Sequence, residues 1–173
     1  MIAILIVVAA SLVATGSPAR AAGVLDATCT TPSSATTTFS PPLSNTPQLV
    51  TIATTVLYSP CISTTPGLTS GSRSSVVTRT TQCSDLLASG SLTFTISWNS
   101  GQTSTLHTNF TSTSVGVARV VTHTGQVTSG LFAGDNVIQT LTSPSLDLVN
   151  CTLGLGTVSS VYSTVLLKIG YPL

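Results

Sequence analysis

The sequence predicts an all-β protein, a single antiparallel β-sandwich stapled by two disulfides, and three observations carry that reading. Leu92-Thr93-Phe94-Thr95-Ile96-Ser97-Trp98 alternates apolar and hydroxyl side chains, so its apolar members share one face of a strand. Strand-like segments recur at roughly ten-residue intervals with turn residues between them. Thr and Ser supply 58 of 173 residues while charged residues supply 5%; Thr favours strands and Ser favours turns and edges.

The chain opens with an apolar run from Ile2 to about Ala14, too short to span a bilayer and suited to the core of a signal peptide. Pro18 breaks it, and Ala19-Arg20-Ala21 places small residues where a signal peptidase reads. Residues 1–21 are therefore expected to be a signal peptide and residues 22–173 one exported domain. One feature departs from the pattern: no Lys or Arg precedes the apolar run. Export places Cys29, Cys61, Cys83 and Cys151 in an oxidising compartment, where four cysteines read as two disulfides. No Cys-x-x-Cys pair is present, which argues against zinc or thioredoxin-like chemistry.

Taken in order, Ala35 to Phe39 is a Thr-rich strand that Pro41 to Pro47 breaks. Val50 to Tyr58 is a second, with Val50, Ile52, Val56 and Tyr58 on one face, and Pro60 ends it beside Cys61. A hairpin about Asn45 makes Cys29, near the start of the first strand, and Cys61 mirror-related. That geometry favours Cys29–Cys61 among the three possible connectivities, leaving Cys83–Cys151. Ser63 to Ser72 is a loop with Pro66-Gly67, Val76 to Cys83 a strand, and Ser84 to Gly90 a turn. Leu92 to Trp98 then turns through Asn99-Ser100-Gly101-Gln102 into Ser104 to Ser112, with Leu106 and Phe110 inward and His107 outward. Val117 to Thr124 is a strand, and Gly125 to Gly130 punctuates it. Leu131 to Asp135 is a turn packed by an aromatic, and Val137 to Leu141 a strand. Leu146 to Cys151 brings the chain back, and Ser159 to Ile169 closes it. Beyond the signal, no segment sustains helical periodicity.

Charge excludes some functions. Without Arg20, the basic residues Arg73, Arg79, Arg119 and Lys168 balance Asp26, Asp85, Asp135 and Asp147, four against four. A neutral chain without a basic run offers no footprint for nucleic acid or anionic lipid.

Candidate sites are few. His107 and His123 are the only histidines, and both fall on outer faces in this register. Meeting across a sheet they would form a two-His metal site, but no carboxylate stands beside them, so exposed surface histidines are expected. Glu is absent, as is the Gly-x-Ser-x-Gly nucleophile motif. Glycosidase chemistry would need two distant aspartates. No catalytic, cofactor-binding or metal residue is therefore assigned; the assigned residues are the four cysteines. Gly134-Asp135-Asn136 offers one carboxylate, thin for calcium and natural for a turn in which Asp and Asn bond their own backbone. Asn109-Phe110-Thr111 and Asn150-Cys151-Thr152 match the glycosylation pattern, and neither is expected to be modified.

Two resemblances bear on the fold. The spacing Cys83–Trp98–Cys151, 15 and then 53 residues, resembles the Cys…Trp…Cys frame of immunoglobulin variable domains, although the tyrosine two residues before the second cysteine is Val149 here. It implies an immunoglobulin-like or Greek-key sandwich with Trp98 in the core near Cys83–Cys151. Ser59-Pro60-Cys61, Pro66-Gly67, Trp98-Asn99-Ser100-Gly101 and Gly125-x-Val127-x-Ser129-Gly130-x-Phe132-x-Gly134-Asp135 resemble a group of small, secreted, uncharacterised actinobacterial proteins. That similarity implies export and a shared domain and carries no activity.

The expected function is that of a secreted, non-catalytic protein presenting a neutral, hydroxyl-rich β surface to a cell-wall glycan, another secreted protein or itself. It has no membrane attachment once the signal is cleaved. Tyr58, Tyr162 and Tyr171 are its available aromatics. The alternative is a secreted hydrolase, which needs a cleft placing an Asp beside His107 or His123, or a protease inhibitor, which needs an exposed rigid loop over Ile62 to Gly71.

Overall fold

The computed structural model describes residues 24–171; the signal-peptide reading of residues 1–21 lies outside them. Ten antiparallel strands run in the order β1 (Val24–Cys29), β2 (Ser34–Leu43), β3 (Gln48–Tyr58), β4 (Cys61–Ser63), β5 (Gly71–Thr81), β6 (Gly90–Trp98), β7 (Thr103–Val115), β8 (Ala118–Gly130), β9 (Asn136–Pro144) and β10 (Val158–Tyr171). A 3-10 turn over Cys83–Leu87 links β5 to β6. A short α-helix, α1 (Leu146–Thr152), links β9 to β10.

The sheet is not a sandwich. Its order β2-β3-β5-β6-β7-β8-β9-β10 returns to β2, closing an eight-stranded barrel, with β1 and β4 continuing from β10 as a branch. Closure follows from the length of β10. Its first half pairs with β2, Thr164 facing Ser34 and Val161 facing Thr37, and its last residues pair with β1, Leu167 facing Cys29. Bulges at Thr105/Leu106 and Val158/Ser160 add the local twist that coils a long sheet until its edges meet.

The hairpin about Asn45 forms, with Ser34 opposite Leu57 and Ser40 opposite Thr51. Nearly the same mirror relation continues into β1 and β4, where Cys29 faces Cys61, although Cys29 ends its strand and does not start one. Cys29–Cys61 and Cys83–Cys151 are both bonded.

The core has two parts. One, at the β1/β4 end, gathers Cys29, Cys61, Tyr58, Ile96, Trp98, Leu106 and Leu167. The other, under α1, gathers Phe39, Leu43, Val50, Cys83, Leu148 and Cys151. Trp98 therefore packs with the Cys29–Cys61 end and away from Cys83–Cys151, contrary to the immunoglobulin-like expectation. The reason is length: β5 runs away from Trp98 to Cys83, and the nine residues of β6 return over about 30 Å.

Three local readings also change. Gly125 does not punctuate a strand; β8 continues through it to Gly130. Gly125 is required because β7 comes so close that a Cβ there would overlap the His107 carbonyl oxygen and Thr108 Cα. Leu146 to Cys151 returns the chain as a helix, burying Leu148 and Cys151 one turn apart. β5 begins at Gly71, five residues before the expected Val76, because its first residues are polar and show no alternation.

Candidate functional site

The closed barrel parts along one seam. β5 and β6 share only two rungs, Gly71 with Trp98 and Ser72 with Ser97. Trp98 lies over Gly71, where a Cβ would stand 2.6 Å from the indole, so glycine lets the strands meet at this end. Beyond Ser72 they diverge. The register of β5 against β3, with Val56 opposite Arg73, Thr54 opposite Ser75 and Ile52 opposite Val77, turns Arg73, Ser75 and Val77 toward the barrel interior. Ser75 is nevertheless exposed, and Val77 and Leu92, which faces inward from β6, retain 49% and 38% exposure. Inward-facing residues that meet solvent mark an opening into the barrel.

Arg73 is the first residue past the last rung. Its guanidinium carbon stands 4.0 Å from the centroid of Phe94 on β6, a cation–π contact across the fork. Behind it lies a polar layer between the two core clusters. The Tyr58 hydroxyl donates to Gln139 Oε1 at 2.8 Å. Gln139 faces His123 across β8 and β9, and His123 Nδ1 lies 3.2 Å from Thr108 Oγ1. The His123 ring packs edge-on to Phe94 and tilted against Phe110, at centroid distances of 6.2 and 5.5 Å.

Burial sets the chemistry of this layer. It pushes the Tyr58 hydroxyl up to about 12, only partly opposed by the Arg73 charge and a side-chain hydrogen bond with Arg73, so the phenol stays a neutral donor. Burial, reinforced by Arg73, pulls His123 down to about 4, so its imidazole is neutral at ordinary pH. Two polar atoms are buried without a hydrogen-bond partner among the described residues: Arg73 Nε and Gln139 Nε2. Such groups each cost roughly 1–3 kcal/mol, more when charged, and native interiors rarely leave them unmatched.

A hollow of about 280 Å³ lies beneath α1, between Leu86, Arg119, Asp147 and Tyr162. Its arginine is committed, donating to the Leu86 carbonyl and the Ser112 hydroxyl. The seam therefore offers donors that the hollow does not.

The residues singled out in the sequence disperse. His107 is exposed as expected, with Nδ1 3.0 Å from Thr93 Oγ1. His123 is not; it is 5% exposed and faces inward. Val120 and Val121 straddle the two faces of β8, so alternation could not decide which face His123 takes. Tyr58 is wholly buried, whereas Tyr162 and Tyr171 remain outside. Asp135 is buried in the turn after β8, where Phe132 adopts a left-handed backbone and sets its ring edge-on to Trp98 at 6.1 Å. Ile62 is 82% exposed, but its strand is hydrogen-bonded to β1. The rest of that loop is clamped by Asn99, whose side chain accepts from Thr69 and Ser70 N–H and donates to the Gly67 carbonyl.

Arg73 and Gln139 were missed. Arg73 sits in Ser72-Arg73-Ser74-Ser75, which carries no apolar rhythm. Gln139 did carry a signal: it shares its face with Val137 and Leu141, an amide among core positions.

Neither a family model, nor a curated protein, nor a solved structure matches this chain. No helix among the described residues is long and apolar enough to cross a membrane, and two disulfides suit an oxidising, extracellular setting.

Proposed function

We propose that this is a secreted, non-catalytic binding protein that takes a small molecule into its barrel through the β5–β6 seam. The observation that carries the reading is the pair of buried, unpartnered donors, Arg73 Nε and Gln139 Nε2, in a layer whose flanking inward residues meet solvent. Small-molecule sites are concave, mostly apolar and fitted with a few convergent polar groups, and the mouths and interiors of small barrels commonly supply them. Chemistry is disfavoured by the surroundings of the histidines. His123 meets Thr108, Phe94 and Phe110 and His107 meets Thr93, hydroxyl and aromatic neighbours in place of the carboxylate that commonly orients an imidazole as a base. The outer face supports binding less well than the interior. Its hydroxyls pair across strands, Thr51 with Thr78 at 2.9 Å and Thr95 with Thr105 at 3.0 Å. Export rests on the signal-like residues 1–21, the two disulfides and the resemblance to small secreted actinobacterial proteins.

Native mass spectrometry of protein recovered from the medium of its producing cells tests the reading. One small molecule per chain, released on unfolding and absent from a Ser75→Phe/Val77→Phe variant with a filled mouth, is the expected result. Protein that carries no small molecule and takes up none from an apolar library contradicts it.

A further inference from the structure

We propose that the interior site binds a small organic carboxylate, with Arg73 receiving the carboxylate and Phe94 and Phe110 packing on its apolar body. The proposal rests on the binding reading above and names its ligand class. It is carried by the way Arg73 is held. Phe94 covers one face of the guanidinium at 4.0 Å and the Tyr58 side chain meets its N–H edge, while Nε on that edge is buried without a partner. That edge is a planar fork whose two parallel donors match the two oxygens of a carboxylate.

A second donor belongs to the same layer. Gln139 is fully buried, and its Oε1 is occupied by the Tyr58 hydroxyl. This orients the amide and leaves Nε2 as a donor without a partner. A guanidinium and a primary amide in one layer suit an oxyanion. Two of the carboxylates are engaged elsewhere: Asp26 accepts from Thr64, and Asp85 from Thr81 and Gln82. Arg73 is half-buried, with its Nε out of water and unpartnered, and an incoming anion supplies the acceptor that this atom lacks.

The charge balance selects the type of anion. Arg73 is the one cation turned into this layer among the described residues, since His123 is neutral above about pH 4. One positive charge balances a monoanion and leaves half of a phosphate dianion uncompensated. The walls select the rest of the molecule: Ile52, Phe94, Phe110, Leu141 and, at the mouth, Val77 and Leu92 are apolar and face the interior.

The test compares two acids with their neutral amides, 2-naphthoate with 2-naphthamide and decanoate with decanamide, by calorimetric titration at pH 7. The full exported domain, both disulfides intact, is used. At least one acid is expected to bind one to one and about tenfold or more tightly than its amide, the difference typical of a charge-assisted hydrogen bond. Arg73→Leu is expected to abolish that preference, Arg73→Lys to retain part of it, and Gln139→Leu to weaken the acid several-fold. Trp98 fluorescence verifies that each variant is folded. Amides that bind as tightly as the acids overturn the carboxylate assignment and leave the binding reading standing. So does an acid preference that survives Arg73→Leu in folded protein, which would reduce the Arg73–Phe94 contact to a staple across the seam. Wild-type protein that takes none of the four probes overturns both.

Discussion

Tyr58 and Gln139 meet across the inside of the barrel, the phenol on β3 donating at 2.8 Å to the amide oxygen on β9, with both side chains fully buried. Removing one partner leaves the other buried and unsatisfied, whereas removing both leaves an apolar wall. Tyr58→Phe is therefore expected to lower unfolding free energy by about 1–3 kcal/mol. The double variant Tyr58→Phe/Gln139→Leu should recover most of that loss. Urea denaturation of the four members of the cycle checks it; additive losses would show that the pair is not coupled.

Acid should weaken the fold through His123. Its pKa is near 4 in the folded protein against 6.5 as a free side chain, so between those values the unfolded chain binds a proton that the native protein does not. The stabilising contribution of the neutral, buried imidazole is fully present above pH 6.5 and is lost as pH falls to about 4. The span corresponds to about 3 kcal/mol. Arg73 on β5 is the charged group that faces it, and Tyr58 on β3 stays neutral throughout. Denaturant midpoints between pH 4 and 7 for wild type and His123→Phe check this: the slope in that window should largely vanish in the variant.

The two disulfides close loops of 32 and 68 residues. Chain-entropy arguments give each about 4 kcal/mol, slightly more for the longer. Cys83→Ala/Cys151→Ala should also loosen α1, because that bridge ties the helix to the 3-10 turn. Equilibrium unfolding of both double variants, with circular dichroism of α1-sized helical signal as a second readout, is the check. A loss below about 1 kcal/mol for either would contradict the account.

Two glycines set where strands can touch. Gly125→Ala would drive a methyl into the backbone of β7 and is expected to prevent folding. Gly71→Ala meets a side chain, the Trp98 indole at 2.6 Å, and should fold with Trp98 displaced. Because Trp98 is the single tryptophan, its emission should shift to longer wavelength; an unshifted spectrum would mean that the ring is not seated on Gly71.

These results also show which features could be read in one dimension. The Leu92–Trp98 strand was legible because alternation is a local property. The pairing of Cys29 with Cys61 was legible because a hairpin centred at Asn45 maps one onto the other. Barrel closure was not, since the β2–β10 seam joins Thr36 to Tyr162 and Thr37 to Val161, residues whose types do not advertise a partner. The helix over Leu146–Thr152 is too short to show a period. Arg73 was hidden because its inward orientation comes from the register with Val56, a tertiary fact, while Gln139 stood in view on an apolar face.

The proposed site depends on a barrel closed everywhere except between β5 and β6, and cross-strand backbone NOEs in a deuterated, amide-labelled sample test that most directly. Contacts between Thr37 and Val161 and between Ser72 and Ser97 are expected, with no ladder joining residues 74–81 to residues 90–95. A continuous β5–β6 ladder beyond Ser72, or no contact between β2 and β10, would contradict the account.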